Sequence, residues 1–384
     1  MFTRNLDRLR VIGESWQISF TLRYLGWTFT QTRELDKCRQ AVMEAMDIDI
    51  ERGDQASLSE DLALLANLAL SEHAYDIALQ LTQRQKEIHE SLGNHQSIAG
   101  SIQDLGAISL ALGDYAQAIE YFHQAVEKGG EFSRHQWVAG AYSWESISAV
   151  RLGEIEHARE ARMQSLAISQ ESAYQTGIIW SYAELGEIER IDGNLGAAER
   201  WYHQALAYLE STSVYDLRAF ANRGLGQIAL TQGNLEEARR RLDESLKAAN
   251  EEYFPWGSAY ALSCLARVAI TEGDLKAAEL HLTEAAQVLS RWGDQGVALE
   301  MIAVIAELYL AEGRPADAIA LATFLLDYQG TWYETRERAS ELIIRAASQL
   351  ASTDLSNAQH KGQQIVFDQM LDKIATGDIQ HLCD

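Results

Sequence analysis

Residues 105–125 read LGAISLALGDYAQAIEYFHQA, and this stretch decides the fold of the chain. Small residues stand at Gly106 and Ala118, on either side of a Leu-Gly-Asp-Tyr turn at 112–115. Apolar residues before and after the turn follow the spacing of amphipathic helices. The stretch therefore predicts two antiparallel helices that cross closely at Gly106 and Ala118, where a larger side chain would push the backbones apart.

The same pattern recurs along the chain with a period of 40 residues. The turn residues are Arg33, His73, Gly113, Gly153, Gly193, Gly233, Gly273, Gly313 and Thr353. Five places later stand Cys38, Ala78, Ala118, Ala158, Ala198, Ala238, Ala278, Ala318 and Ala358. Seven places before the turn stand Gly26, Ala66, Gly106, Ser146, Gly186, Gly226, Ala266, Ala306 and Ala346. A fixed period of this length is typical of solenoids, in which each repeat packs on its neighbours.

The Leu-Gly, Ala, Phe and Ala positions of this stretch resemble the tetratricopeptide repeat. The familiar unit has about 34 residues, so the units here are longer, and we expect helices of roughly 16 to 18 residues. The resemblance implies an all-α, right-handed superhelical α-solenoid of about nine helix-turn-helix repeats. We expect residues 1–11 to be the second helix of a truncated preceding repeat, residues 12–351 the repeat array, and residues 352–384 a degenerate last repeat and C-terminal cap.

Composition excludes several classes of protein. The chain has 32 basic and 56 acidic residues, and its net charge of −24 opposes binding to nucleic-acid phosphates. No apolar run has the length of a membrane span, and the first residues lack the pattern of a secretory signal. Cys38, Cys264 and Cys383 lie in separate repeats, so we expect no disulfides. The sequence thus predicts a cytoplasmic protein that binds neither nucleic acid nor membrane.

The sequence lacks the common catalytic motifs. Gly224–Ala229 matches a G-x-G-x-x-A dinucleotide motif, but it falls inside a predicted helix with no strand before it. No two of the ten histidines have the spacing of paired metal ligands on a helix. Glu184 and Glu187 share a helix face, as paired carboxylates in acid–base catalysis could, but helix surfaces carry such pairs routinely. We therefore expect no enzyme activity, no cofactor and no metal.

Candidate ligand-binding residues follow from the resemblance, because tetratricopeptide arrays bind ligands in a concave groove lined by the first helix of each repeat. Transferred to repeats five to seven, the groove positions and their neighbours are Trp180, Glu187, Phe220, Arg223, Trp256, Tyr260 and Arg267. Rigid rings and guanidinium groups are enriched at recognition surfaces. Aromatic residues at helical spacing are also typical of a core, so the row formed by Trp180, Phe220 and Tyr260 is compatible with either.

Two further expectations concern the surroundings of this groove. In the absence of a ligand, Glu187 and Glu307 should pair with the neighbouring arginines Arg223 and Arg267. Trp332 lies outside the groove positions and is predicted to pack in the core.

The repeats also resemble the C-terminal sensor arm of large bacterial signal-transduction ATPases related to the maltose-regulon activator and of LuxR-type regulators. The resemblance rests on the Leu92-Gly93-Asn94 link between repeats and on the closing segment 358–371. It implies a module that binds a peptide, a protein or a small-molecule inducer in its groove. It also implies an N-terminal nucleotide-binding domain in the parent chain. The alternative is a general scaffold or adaptor for protein–protein interaction.

Overall fold

The computed structural model describes residues 2–129, 135–211, 217–292 and 294–383, which form twenty α-helices joined by turns. In chain order they are α1 (Phe2–Ile12), α2 (Ser15–Gln31), α3 (Leu35–Arg52), α4 (Gln55–Ser71), α5 (Tyr75–Ser91), α6 (His95–Ala111), α7 (Tyr115–Gly129), α8 (His135–Leu152), α9 (Ile155–Glu171), α10 (Gln175–Ile191), α11 (Leu195–Ser211), α12 (Arg218–Thr231), α13 (Leu235–Glu251), α14 (Pro255–Glu272), α15 (Leu275–Trp292), α16 (Gln295–Ala311), α17 (Pro315–Asp327), α18 (Tyr333–Ala347), α19 (Ser352–Gln363) and α20 (Phe367–Ala375). The all-α fold class is confirmed. None of these helices combines the length and apolarity needed to cross a membrane.

The chain divides into two compact units, Met1–Glu145 and Ser146–Asp384. In the first unit, α2 and α3, α4 and α5, and α6 and α7 form antiparallel hairpins, and α3 and α5 each pack on the helix that follows. In the second unit, the hairpins begin with α10, α12, α14 and α16, and these four first helices contact one another in that order. Each unit is therefore a stack of helix-turn-helix repeats.

The small residues lie at the helix crossings, as the sequence predicts. A Cβ atom at Gly186 would lie 2.7 Å from the ring of Tyr202, and one at Gly226 would lie 2.7 Å from Leu242 Cγ. In both cases the facing side chain belongs to the second helix of the same repeat. The alanine column on the second helices is fully buried at Ala78, Ala118, Ala158, Ala198, Ala238, Ala278 and Ala318. Close approach of the two backbones therefore explains both columns.

Left-handed backbone conformations mark the turns within and between the repeats. The turn residue within a repeat has a positive φ at Gly113 (77°), and also at Arg33 (57°) and His73 (58°), where glycine is missing. The links between repeats use the same conformation at Gly13, Gly53 and Gly93, and at the non-glycine residues Ala173 (52°) and Tyr253 (53°). Glycine adopts this conformation without steric cost, whereas the other side chains are strained by it.

The C-terminal part of the second unit departs from the regular stacking. Helix α17 ends at Asp327. The equivalent helix two repeats earlier, α13, ends at Glu251, and the same repeat position in α17 would be residue 331. Helix α17 therefore ends earlier than the repeat pattern predicts. Helix α19 packs against α17, and Gly362 makes this possible because a Cβ there would lie 2.4 Å from the carbonyl oxygen of Ala320. Helix α20 packs on α15. Because α17 ends early, residues 328–332 form a link outside the helix, and α18 begins after it at Tyr333.

Candidate binding surface on the first helices

The start of α18 lies across the first helices of the second unit. We call residues 332–338 the covering segment. The first-helix surface is formed by the sides of α10, α12, α14 and α16 that carry Glu187, Arg223, Tyr260 and Glu300. The covering segment contacts α10, α14 and α16 through hydrogen bonds and ring contacts. Residues from repeats five to eight thus meet at one segment near the end of the chain.

The aromatic row predicted from the sequence is a continuous stack of rings with one guanidinium group. Trp180 and Phe220 meet edge to face with ring centroids 6.1 Å apart. The Arg223 guanidinium lies 4.5 Å from the ring centroid of Phe220 and 4.0 Å from that of Tyr260. Trp332 of the covering segment continues the row, 6.1 Å from Tyr260. Each ring quadrupole attracts the guanidinium group that lies between Phe220 and Tyr260, and this attraction adds to the effect of burial.

The row is largely buried. Phe220 is 8% exposed and Tyr260 is 3% exposed, while Trp180 is half-buried. Trp256 lies at the start of α14 and packs against Phe254, with ring centroids 3.9 Å apart. The row therefore has features of both a groove and a core. The rings lie at the positions expected for a groove, and Trp332 of the covering segment packs on Tyr260.

Two charges hold the covering segment on α10. The Arg190 guanidinium donates two hydrogen bonds of 2.7 Å to the two carboxylate oxygens of Glu334. Arg190 also donates to both oxygens of Glu187, at 3.0 and 3.1 Å. Burial opposes ionisation of Glu334, but the charge of Arg190 outweighs it and lowers the pKa of that carboxyl group. Such bidentate pairs are both strong and geometrically specific.

Glu187 is the central acceptor of the surface. Besides Arg190, it accepts a 2.7 Å hydrogen bond from the Tyr202 hydroxyl group, and Arg223 lies 3.7 Å away. Burial opposes its ionisation, but Arg190 and Arg223 outweigh burial and lower the pKa of Glu187. Gly224 leaves room for Tyr202, because a Cβ there would lie 2.1 Å from the Tyr202 ring carbon Cζ. The glycine that resembles part of a dinucleotide motif is thus required for packing.

A second charge cluster holds the C-terminal end of the covering segment. Arg338 donates hydrogen bonds to Glu300 and, at 2.7 Å, to Glu307. Thr335 also donates to Glu300, which is 2% exposed. Arg267 lies 3.4 Å from Glu307, so the predicted pairing of Glu187 and Glu307 with the neighbouring arginines is present. Burial lowers the pKa of Arg338, but Glu300 and Glu307 outweigh it and raise that pKa well above its ordinary value.

Two glycines leave space for the aromatic residues of the covering segment. A Cβ atom at Gly296 would lie 2.2 Å from Trp332 Cζ2, and one at Gly153 would lie 2.6 Å from the ring of Tyr333. The Arg151 guanidinium lies 5.0 Å from the centroid of the Trp332 ring. The covering segment and the residues that it contacts are therefore complementary in shape as well as in charge.

Sequence reasoning missed the covering segment. Trp332 was expected only to pack, and Tyr333, Glu334, Thr335 and Arg338 carried no expected role. A signal was present, because Tyr328-Gln-Gly330 interrupts the apolar pattern of α17 just before this aromatic and charged run. What the run would contact was not visible, since its partners extend as far back in the chain as Arg151.

Several titratable groups in and beside this surface have pKa values shifted by burial or by neighbouring charges. In the described ranges, no three His, Cys, Asp or Glu side chains are placed to hold a metal ion. Burial raises the pKa of Glu184, which faces Arg162 at 4.0 Å, while Glu187 is held by arginines. Burial also raises the pKa of Cys264 to about 11, so this thiol is a poor nucleophile.

Two sequence profiles of the tetratricopeptide repeat family match the chain, over residues 99–127 and 178–251. The second match spans α10 to α13 almost entirely and includes Glu187, Phe220 and Arg223. Comparison with curated proteins gives no match.

Solved structures share the fold. The apo form of the quorum sensor NprR from B. thuringiensis is 14% identical, with a TM-score of 0.58 over 90% of this chain and 96% of that chain. A Rap protein complexed with Competence and Sporulation Factor is 13% identical, with a TM-score of 0.61 over 95% and 99%. The apo form of RapI is 14% identical, with a TM-score of 0.50 over 65% and 89%. At these identities the likeness concerns the fold alone. The family matches identify residues 99–127 and 178–251 as tetratricopeptide repeats, and the neighbours share the helical-solenoid fold of the chain.

Proposed function

We propose that this chain is a non-catalytic sensor module that binds a peptide or protein segment on the first-helix surface of the second unit. The observation that carries the proposal is the covering segment itself. The surface already holds a segment with a tryptophan, a tyrosine and a carboxylate, through Tyr260, Gly153 and Arg190. A ligand with the same groups, aromatic and acidic, would use the same contacts.

The fold neighbours support a sensor role. One of them is described as a quorum sensor, and another is a Rap protein in complex with a factor. The finer assignment, to the sensor arm of a bacterial signal-transduction ATPase or transcriptional regulator with an N-terminal nucleotide-binding domain, is supported by the repeat resemblance alone. A general scaffold for protein–protein interaction is the alternative.

A peptide added in trans tests the proposal. The probe is a labelled synthetic peptide that copies residues 328–340, and binding is measured by fluorescence anisotropy. In the wild-type chain the tethered segment competes at an effective concentration on the order of millimolar, so the peptide should bind weakly. In a Trp332→Ala/Glu334→Ala variant the tethered segment loses its contacts with Tyr260 and Arg190, and the peptide should bind at least about tenfold more tightly.

Matched controls make the result specific. Glu337 is exposed on the same helix, so Glu337→Ala should leave peptide binding as in the wild type. A peptide carrying the Glu334→Gln change should bind the double variant more weakly than the parent peptide. Circular dichroism checks that the double variant stays helical, and Glu334→Gln alone serves as a milder protein variant. If the double variant is folded but does not bind the parent peptide, α18 is part of the core and the surface binds no segment.

Hydrogen exchange separates the sensor from the scaffold once a ligand is bound. A ligand on the first-helix surface must displace the covering segment, so exchange at residues 333–338 should increase. A scaffold that binds its partner elsewhere would leave this exchange unchanged.

A further inference from the structure

Helix α2, in the first unit, carries an exposed aromatic stripe. Trp16, Phe20, Tyr24 and Trp27 are 52%, 53%, 42% and 50% exposed. Their spacing of four, four and three residues places them on one face of the helix. Phe20 occupies the repeat position of Phe220 and Tyr260, which are buried in the second unit. The same repeat positions are thus covered in one unit and exposed in the other.

The stripe consists of two pairs of rings. Trp16 and Phe20 stack with centroids 5.7 Å apart and ring planes 20° apart, and Tyr24 and Trp27 have the same centroid distance. From Trp16 to Trp27 the helix rises about 16 Å. An extended segment of about five residues has this length. Contiguous exposed aromatic area of this kind is a mark of an interaction site.

Surplus negative charge lies beside the stripe. Arg23, on the same helix, donates hydrogen bonds to Asp49 at 2.6 Å and to Glu60 and Asp61 at 2.8 Å. Arg52 pairs with Asp49 and with Asp54. Two guanidinium groups therefore face four carboxyl groups.

One of these carboxylates is open to a further donor. The side chain of Glu60 is 65% exposed, beside an Arg23 side chain that is 11% exposed. Asp61, by contrast, is fully buried and closed to a docked segment. The cluster thus presents the exposed Glu60 carboxylate to a cationic group.

We propose that the α2 stripe docks a protein segment that carries arginine or lysine next to apolar side chains. The cationic groups lie over the exposed rings and bind the Glu60 carboxylate, while the apolar side chains pack between the rings. Rings attract cations, and carboxylates pair with guanidinium groups, so both features select the same partner. This surface is separate from the one in the proposed function, and it takes a partner of the opposite charge.

The probe is a labelled peptide that alternates arginine and leucine, titrated into the full chain and followed by fluorescence anisotropy. A peptide that alternates glutamate and leucine is the comparison. The basic peptide should bind and the acidic one should not. Trp16→Ala and Trp27→Ala should each weaken binding about tenfold, as expected for loss of a desolvated ring contact. Glu60→Gln should weaken binding and reduce its dependence on salt.

The controls separate docking from general attraction to an acidic protein. Leu280→Ala removes an even more exposed apolar side chain from α15, and Glu156→Gln removes an exposed carboxylate from α9. Both should leave binding unchanged. Equal affinity for the wild type, Trp16→Ala and Trp27→Ala would overturn the proposal, and so would tighter binding of the acidic peptide. Glu334→Gln, which affects the first-helix surface, should not change binding of the basic peptide, so the two proposals can fail independently.

Discussion

Arg190 and Glu334 are 144 positions apart in the chain, yet two hydrogen bonds of 2.7 Å join their guanidinium and carboxylate groups. The pair connects the fifth repeat to the start of α18. Because Arg190 also binds Glu187, one buried cation is shared by two carboxylates. The consequences of removing the two partners should therefore differ.

Replacing Arg190 with methionine should cost about 3 kcal/mol or more of unfolding free energy, because Glu334 then loses its bidentate partner and Glu187 keeps only the more distant Arg223. Glu334→Gln should cost less, about 1 to 2 kcal/mol, because Arg190 keeps Glu187. Urea denaturation of the two variants measures the difference. Equal costs, or a larger cost for Glu334→Gln, would contradict the sharing of Arg190.

Enlarging a glycine at a helix crossing should be strongly destabilising. Gly226→Leu should cost at least about 1 to 3 kcal/mol, because Leu242 occupies the space into which the new side chain would extend. Gly186→Leu should behave in the same way against Tyr202. Glu237→Ala, on the exposed side of α13, should cost below about 1 kcal/mol although it removes pairs with Arg240 and Arg241. Similar melting shifts for the three variants would place the crossing elsewhere.

Two aromatic residues at related repeat positions should respond very differently to truncation. Tyr260→Ala should cost about 3 to 5 kcal/mol, because the buried ring contacts both Arg223 and Trp332. Trp16→Ala should stay within about 0.5 kcal/mol, because half of this side chain is in solvent. Thermal unfolding of both variants provides the comparison. A large loss for Trp16→Ala would mean that the α2 stripe is a structural element.

The stability of the first unit should decrease as the pH rises from about 4 to 7. Burial raises the pKa of Asp61 from 3.8 to about 7, against the opposing effect of Arg23. In this window the folded chain keeps a proton that the unfolded chain releases, so each pH unit costs at most about 1.4 kcal/mol. Above about pH 7 this loss is complete.

The Asp61→Asn variant isolates this effect because it cannot ionise. Its unfolding free energy, relative to the wild type, should increase between about pH 4 and pH 7 and then stay constant. Urea denaturation at several pH values measures this difference. A difference that does not depend on pH would mean that Asp61 is ionised in the folded chain throughout the window.

Removing residues 352–384 should destabilise the eighth repeat. The Tyr309 hydroxyl group donates a 2.6 Å hydrogen bond to the carbonyl oxygen of Ile379 and accepts one from the amide of Leu382. Met370, Ile374 and Leu382 are buried in the core that α14 to α17 share. The truncated chain should show faster hydrogen exchange in α16 and α17 than the full chain. Unchanged exchange there would rule out a capping role for the C-terminal segment.

The repeat could be predicted because its determinants are local. The small columns, the turn glycines and the apolar periodicity specify one hairpin at a time, and neighbouring hairpins meet through the same columns. Even so, the links at Ala173 and Tyr253 adopt the left-handed conformation without the glycine that indicates it. The repeats that pack around these links hold the backbone in a left-handed conformation that alanine and tyrosine disfavour.

The candidate site could be predicted only in part. The positions of Trp180, Phe220, Arg223 and Tyr260 on the first helices followed from the repeat register. Their burial did not, because Phe20 has the same register as Phe220 and is exposed. Exposure depends on whether another part of the chain lies over the position.

The sequence by itself thus determined the helices, their hairpins and the crossings between them, since each depends on residues within one or two repeats. Only the tertiary structure decided that residues 332–338 cover the first helices, that Arg190 holds Glu334, and that the α2 stripe remains open. These contacts join residues that are far apart in the chain and share no repeat position. They depend on the early end of α17 and on the three-dimensional path of the repeats, which a nearest-neighbour pattern does not encode.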